Sequence, residues 1–263
     1  MSTMSLALTD SATMLRRNLK RMVRYPSMTV TLIGMPIVFL LLFVYVFGGT
    51  LGAGIGGPSG GRAEYVNYVT PAIILMTITA AVQGTTISVA MDMTEGIVDR
   101  FRSMAIARIA LLTGHVLGSL VQNLLALLAV LGVALLIGFR PNATALEWLA
   151  VLGVLTATAF ALTWFAVALG MVADSVETAS NTPMFLSLLP FLGSGFVPTE
   201  TMPAGLRTFA EYQPFTPIIE TLRGLLLGSG IGTSAIIALA WCAGISLVSY
   251  LWARRSYNQR ATR

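Results

Sequence analysis

Six long apolar segments restrict the fold of this chain more than any other feature. A membrane-spanning helix takes roughly 20 residues, because it rises about 1.5 Å per residue through about 30 Å of hydrocarbon. The segments that meet this requirement are residues 28–47, 66–91, 109–139, 147–172, 181–197 and 231–252. Backbone N–H and C=O groups have to be paired inside hydrocarbon, so the prediction is an all-α integral membrane protein with six transmembrane helices.

The composition excludes most soluble classes of protein. Of the 263 residues, 56% are apolar and only 10% are charged, against about 25% charged in an average soluble domain. The net charge of +5 therefore indicates contact with anionic lipid and cytoplasm rather than nucleic acid. With one cysteine and one histidine, Cys242 and His115, the chain can form neither an intrachain disulfide nor a zinc site of the usual kind.

The distribution of lysine and arginine predicts the orientation in the membrane. In a six-span arrangement, twelve of the 16 basic residues fall on one side, before the first span, between spans two and three, and after span six. The positive-inside rule then places both termini in the cytoplasm of a multi-pass cell-membrane protein. The first apolar run is long enough to span, which favours a retained membrane helix over a cleaved signal peptide.

Residues 10–26 are predicted to form an amphipathic helix in the membrane interface. Leu15, Leu19 and Met22 recur at the spacing of one helical face, and Pro26 ends the pattern. The basic residues that cover much of the remaining surface are Arg16, Arg17, Lys20, Arg21 and Arg24. A basic amphipathic helix beside a span favours the interface plane; the alternative is a solvated topology signal.

The loop at residues 48–61 contains eight glycines in fourteen residues. This composition predicts an irregular, mobile external linker with no ligand.

Residues 198–228 are predicted to form an external re-entrant helical hairpin between spans five and six. Two short helices fit, at 203–212 and 216–227, and neither is long enough to span. The prolines and charged residues that mark the hairpin are Pro198, Pro203, Arg207, Glu211, Pro214, Glu220 and Arg223. Broken helices at membrane depth need protein or a water-filled cavity around them; the alternative is a loop lying on the external surface.

Missing motifs exclude several activities. Lys20 is the only lysine and lies outside any phosphate-binding loop, so this chain is not predicted to hydrolyse ATP or to be an enzyme. The predicted spans hold no Asp, Glu, Lys or Arg near their centres, which disfavours a secondary transporter. An integral membrane enzyme is a further alternative, since Asp92, Glu95 and Asp99 share one helical face, but interspersed arginines disfavour a metal there.

The cytoplasmic stretch 92–108 is the most informative short segment. Phe101 stands between Arg100 and Arg102, and an exposed aromatic residue flanked by arginines is typical of an anchor for a partner protein. An ordinary charged loop between two spans is an equal alternative.

Two motifs resemble a known family. One is Glu95-Gly-Ile-Val-Asp-Arg-Phe-Arg-Ser103, and the other is Phe196-Val-Pro-x-x-x-Met-Pro-x-x-Leu-x-x-Phe-Ala-x-x-x-Pro-x-Thr216, followed by Leu222-Arg-Gly-Leu225. Together they resemble permease subunits of the ABC-2 type, in the branch of daunorubicin-resistance-type drug exporters. The resemblance covers essentially all of residues 1–263 as one transmembrane domain. The chain departs from the family at Ala105, where a proline is frequent.

The resemblance implies a function and partners. It implies an exporter of an amphiphilic drug or lipid-like substrate, in which the permease pairs with a second copy and docks on two ATPase subunits that bind ATP and magnesium. No cofactor is expected on this chain. Export of a lipid or glycan by the same machinery is the alternative, and a secondary transporter is a more distant one.

The resemblance and the pattern also nominate site residues. Those expected to dock on the ATPase are Glu95, Asp99, Arg100, Phe101, Arg102 and Ser103. Those nominated for the substrate path, with core packing as the alternative, are Met35, Phe39, Phe43, Thr77 and Thr85.

Overall fold

The computed structural model of this protein describes residues 26–56, 60–94 and 108–260. All regular elements within these residues are helical. The α-helices are α1 (Pro26–Leu42), α2 (Gly48–Gly56), α3 (Arg62–Thr94), α4 (Arg108–Leu136), α5 (Ala145–Val172), α6 (Val176–Asn181), α7 (Met184–Leu188), α8 (Ala204–Tyr212), α9 (Phe215–Leu227) and α10 (Ser234–Arg260). A π-helical turn, Phe43–Phe47, joins α1 to α2, and 3-10 turns cover Leu189–Leu192 and Thr199–Thr201.

Five helical stretches are long and apolar enough to cross a membrane. They are Val30–Ile55, Arg62–Thr94, Val116–Leu136, Ala145–Val172 and Ser234–Ser256. They correspond to predicted spans one, two, three, four and six. Many of their apolar side chains are exposed in the single chain, as a helix facing lipid requires.

The prediction of an irregular glycine-rich linker at residues 48–61 is wrong for its first nine residues. Glycine costs about 1 kcal/mol relative to alanine in a helix, yet Gly48–Gly56 is helical. The reason is close packing against the start of α3. A Cβ on Gly52 would collide with the backbone of Gly61, and one on Gly48 would lie 3.4 Å from the Arg62 side chain. Glycine here allows two backbones to approach each other.

The fifth predicted span, residues 181–197, is not a continuous helix. It consists of the end of α6, then α7 and the 3-10 turn Leu189–Leu192, followed by a non-helical stretch. Pro183 and Pro190 lie at the interruptions, and a proline has no N–H to continue a helical ladder. The prediction of one continuous helix is therefore wrong.

The broken segment nevertheless follows α3 antiparallel for most of its length. Ala179 packs in one buried cluster with Ala90, and Gln83 donates to the Ser180 carbonyl at 2.9 Å. Further along, Tyr65 donates to the carbonyl of Phe196 at 3.3 Å. Ala90 and Tyr65 are separated by about 37 Å of helix at 1.5 Å per residue.

Helices α8 and α9 lie within one residue of the two short helices predicted at 203–212 and 216–227. Helix α9 is buried along most of its length, and Gly228 ends it in the left-handed conformation at φ 73°. The backbone N–H of Asn142 donates to the Leu226 carbonyl at 2.8 Å. This bond places α9 at the end of the bundle where α5 begins.

Helix α3 is the centre of the described bundle. It packs against α5 at Gly170, where a Cβ would lie 2.7 Å from the Thr86 carbonyl oxygen. Helix α10 packs on the other side of α5, where the rings of Trp164 and Tyr250 meet edge to face at 5.1 Å.

Candidate functional site

The non-helical residues 193–197, called here the unwound stretch, lie between α3 and α9, and residues 193–196 are buried. The Ser194 carbonyl accepts hydrogen bonds from the Tyr68 hydroxyl at 2.8 Å and from Arg223 Nη2 at 2.8 Å. The Ser194 N–H donates to Thr216 Oγ1 at 3.4 Å. Buried backbone groups outside a helix need such partners, and side chains of α3 and α9 supply them.

Arg223 joins three elements through one guanidinium group. Its residue is 8% exposed. Nη1 donates to Glu220 Oε1 at 2.6 Å, and Nη2 is shared between the Ser194 carbonyl and the Tyr68 carbonyl, the latter at 3.2 Å. The guanidinium carbon lies 3.8 Å from the centre of the Tyr68 ring, a cation–π contact.

Gln213, two residues before α9, holds the 3-10 turn in the middle of the broken segment. Gln213 Nε2 donates to the Leu189 carbonyl at 3.1 Å. Gln213, Thr216, Glu220 and Arg223 follow at intervals of three or four residues, which places them on one face of a helix. This polar face meets the broken segment at Leu189 and Ser194.

Three polar side-chain atoms at this site are buried without a hydrogen-bond partner: Ser194 Oγ, Gln213 Oε1 and Arg223 Nε. A buried polar group that lacks a partner has a cost of about 1–3 kcal/mol. The polar network that holds the unwound stretch is therefore only partly satisfied in this conformation.

An aromatic cluster covers the unwound stretch on the side of α1. The rings of Phe191 and Phe196 stack with centroids 4.5 Å apart. Phe43, at the start of the π-helical turn, lies 4.5 Å from Phe196, and Phe39 meets Phe191 edge to face at 5.8 Å. Two of the residues nominated for the substrate path, Phe39 and Phe43, thus contact the broken segment.

The other three nominated path residues lie apart from this cluster. Met35 is 50% exposed on α1. Thr77 is buried and donates to the Ile73 carbonyl at 2.9 Å. Thr85 is buried, donates to the Ala81 carbonyl and shares a 2.8 Å hydrogen bond with Ser119 of α4. Their place in a substrate path stays a prediction.

The residues predicted to mark the hairpin divide into structural and surface groups. Pro198, Pro203 and Pro214 each stand immediately before a helix, the 3-10 turn Thr199–Thr201, α8 and α9 respectively, where their fixed φ angle suits the start of a turn. Arg207 and Glu211 form an exposed ion pair at 2.7 Å on α8, and this hydrogen bond raises the pKa of Arg207.

Two sets of predicted site residues lie outside the described residues. They are the basic residues of the interfacial helix, Arg16, Arg17, Lys20, Arg21 and Arg24, and the docking residues Glu95, Asp99, Arg100, Phe101, Arg102 and Ser103. Both sets stay predictions.

The sequence did not point to Tyr68 and Ser194, which Arg223 contacts across the fold. It also gave no role to Thr216, which accepts from the Ser194 N–H. The spacing of Gln213, Thr216, Glu220 and Arg223 in a largely apolar segment is the signal that was available. The partners across the fold were not readable, because Tyr68 and Ser194 are 126 positions apart.

The chain belongs to the ABC-2 type transporter family. The family model, described as ABC-2 type transporter, matches residues 10–227. Together with the apolar helices, the match defines a multi-pass membrane protein of this family.

Two relatives carry names that are more specific than the description of the family. The chain is 28% identical over 255 residues to "Daunorubicin resistance ABC transporter permease protein DrrB1" of Streptomyces coeruleorubidus, an alignment that covers 97% of this chain and 88% of the relative. It is 26% identical over 198 residues to "Probable doxorubicin resistance ABC transporter permease protein DrrC" of Mycobacterium tuberculosis, covering 72% of this chain and 69% of that protein. The branch expected from the two motifs is therefore confirmed.

Proposed function

We propose that this chain is the membrane-spanning permease subunit of an ATP-driven exporter that moves amphiphilic drugs or lipid-like molecules out of the cell. The observation that carries the proposal is the alignment with a daunorubicin-resistance permease over 97% of this chain. An amphiphilic substrate needs mainly apolar surface and a few polar groups, and this chain is 56% apolar.

The proposed topology has six crossings with both termini in the cytoplasm. Five crossings correspond to the five apolar helical stretches. The sixth would be the broken segment, whose contacts follow about 37 Å of α3, more than the hydrocarbon thickness. In this topology α8 and α9 belong to the external end. The burial of α9 against protein would support a hairpin whose second helix enters the membrane, with the exposed α8 outside it.

The proposed energy source is a separate ATPase. A chain whose only lysine is Lys20 has no phosphate-binding loop of its own. Two ATPase subunits carrying ATP and magnesium would dock on two permease copies, paired as a homodimer or a heterodimer. The stretch 92–108 and the interfacial helix 10–26 would receive their movement, and the substrate path would run between the copies. ATP binding can shift the equilibrium between two conformations of the substrate path only through contacts that differ between those conformations.

The proposal is tested by copurification. The chain is coexpressed with the ATPase encoded beside its gene and purified in mild detergent. We expect the ATPase to copurify with the wild type and to be lost from the variant Arg100→Glu/Phe101→Ala. The matched control is Arg207→Glu/Phe209→Ala, which reverses one charge and removes one ring on α8, where both residues are exposed. The control should retain the ATPase.

Copurification is followed by a test of substrate. Daunorubicin is added to the purified complex and to inverted vesicles, with total lipid extract as the comparison. Stimulated ATP hydrolysis and drug uptake support drug export, whereas stimulation by lipid alone favours lipid export. A wild-type chain that folds, stays in the membrane fraction and copurifies no ATPase contradicts the proposal.

A further inference from the structure

We propose that Arg223 is a positioning residue of the transport cycle, which holds the unwound stretch 193–197 on α3 in one state and releases it in another. This inference rests on the proposed function for the transport step. The holding step rests only on the contacts of the described residues.

One side chain, that of Arg223, joins several elements of the fold. The Arg223 guanidinium contacts a carbonyl of α3, a carbonyl of the unwound stretch and a carboxylate of its own helix. The Tyr68 hydroxyl donates to the same Ser194 carbonyl. Movement of α9 away from α3 would therefore break the hydrogen bond from Arg223 to the Tyr68 carbonyl, and the Ser194 carbonyl could keep only one of its two donors, Tyr68 on α3 or Arg223 on α9.

This arrangement also leaves hydrogen-bonding groups without partners. Arg223 Nε and Ser194 Oγ are buried without partners, although both can donate. A fully satisfied buried network is rigid and specifies one arrangement, whereas each buried polar atom without a partner raises the free energy of the arrangement that leaves it so. A second conformation that supplies partners to these atoms would be close in free energy, as a two-state element requires.

The backbone around Arg223 departs from regular helical bonding. Carbonyl oxygens of the unwound stretch are not occupied by a helical ladder, so they depend on side chains of α3 and α9. Pro71 of α3 has no N–H for the Asn67 carbonyl one turn before it, which loosens the ladder beside Tyr68. The Ser194 carbonyl, one of the three acceptors of Arg223, thus lies outside regular helical bonding, and Tyr68 is the residue next to the Asn67 carbonyl that Pro71 leaves without a donor.

The hairpin supplies a matched control for this role. Arg207–Glu211 on α8 and Arg223–Glu220 on α9 are both intrahelical ion pairs, at 2.7 Å and 2.6 Å. The side chain of Arg207 is 47% exposed and that of Arg223 is 10% exposed. Loss of Arg207 removes the same charge and a similar ion pair from the same hairpin without touching the unwound stretch.

The holding step is tested by hydrogen exchange on the full chain in lipid nanodiscs. The variants are Arg223→Ala, Arg223→Lys and Tyr68→Phe, with Arg207→Ala as the control. We expect amides in a peptide covering 193–197 to exchange about tenfold faster in Arg223→Ala, which corresponds to about 1.4 kcal/mol. Lysine lacks the second donor arm, so Arg223→Lys should resemble alanine. Tyr68→Phe keeps the ring and the carbonyl and should give a smaller increase.

The release step is tested on the reconstituted complex with its ATPase. We expect Arg223→Lys to lower substrate transported per ATP hydrolysed at least threefold while the ATPase still copurifies. A residue needed only for folding would lower the yield of protein and leave transport per ATP unchanged. The control Arg207→Ala should match the wild type in both measurements.

The two steps fail in different ways. Exchange at 193–197 within twofold of the wild type in folded Arg223→Lys protein, or equal acceleration in Arg207→Ala, overturns the inference. If Arg223→Ala does not fold, the exchange rates at 193–197 in Arg223→Lys and Tyr68→Phe decide whether the holding step is correct. Unchanged transport per ATP in Arg223→Lys overturns the release step. Failure of the wild type to bind an ATPase contradicts the proposed function instead, and the exchange result stands apart from it.

Discussion

Gly195 offers a quantitative test of how tightly the unwound stretch is docked. A Cβ at this position would lie 2.7 Å from the Cβ of Ala72 on α3, 3.0 Å from the Pro190 carbonyl oxygen and 3.2 Å from Ile219 Cδ1 on α9. The φ angle of Gly195 is not positive, so alanine is allowed by the backbone conformation. Gly195→Ala therefore tests available space alone.

The magnitude follows from these distances. Ordinary contact begins at 3.4 Å, so the new Cβ would be about 0.7 Å too close to Ala72. Neither the Ala72 Cβ nor a backbone carbonyl can move without its main chain, and only the end of Ile219 is flexible. Overpacking of this kind costs about 1–3 kcal/mol. We expect Gly195→Ala to lower the free energy of unfolding by that amount.

A double-mutant cycle isolates the contact. Ala72→Gly removes the methyl group that the new Cβ meets, at a cost of about 1 kcal/mol in helix propensity. We expect Gly195→Ala/Ala72→Gly to be more stable than the sum of the single losses, with a coupling of about 1 kcal/mol or more. The assay is SDS unfolding in mixed micelles, followed by fluorescence of the four tryptophans. If the stability loss of the double variant equals the sum of the two single losses within about 0.3 kcal/mol, the close contact between Gly195 and Ala72 is refuted.

Two further predictions concern the helices around this site. Gly170→Ala should destabilise the protein by about 1–3 kcal/mol, because the Cβ would lie 2.7 Å from the Thr86 carbonyl, whereas Gly153→Ala, on the same helix with nothing within 4 Å, should be neutral or stabilising in the same unfolding assay. Thr144→Ala should cost about 1 kcal/mol, because Thr144 forms a capping box with Glu147 at the start of α5. Thr144→Ser should restore most of that stability, and equal losses in both variants would contradict the capping argument.

The sequence predicted the five apolar crossings and the two hairpin helices because their signals are local. Apolar runs of sufficient length give the spans. The prolines before α8 and α9 place the helix starts. In both cases the relevant physics acts within one or two turns of chain, so a single sequence contains it.

The glycine-rich segment and the fifth span were predicted wrongly, because general rules on glycine content and apolar content do not hold under the local conditions found there. Glycine-rich segments are irregular when water can satisfy the backbone, yet Gly48–Gly56 packs closely enough against α3 to stay helical. The fifth span was judged by apolar content, although Pro183 and Pro190 were visible in it. The composition was sufficient for burial but not for a continuous helix.

The candidate site was the least readable part, since its bonds cross between distant segments. Arg223 was recognised as a charge in a short helix, but its partners depend on how α9 lies against α3. A sequence pattern gives the face of a helix, and only the packed structure gives what that face meets.

The chemistry of Arg223 explains why such a residue matters in an apolar chain. Burial of a guanidinium is expensive unless charge and hydrogen-bond partners accompany it, and an apolar side chain of similar volume would fill the same space with less cost. Stability alone is therefore a poor reason for an arginine here. Directed hydrogen bonds to two carbonyls on different elements give something that apolar packing does not, which is one defined position of the unwound stretch relative to α3. The same network leaves Arg223 Nε and Ser194 Oγ without partners. The free energy of this arrangement is therefore higher than that of a fully satisfied network, as the proposed release of the unwound stretch requires.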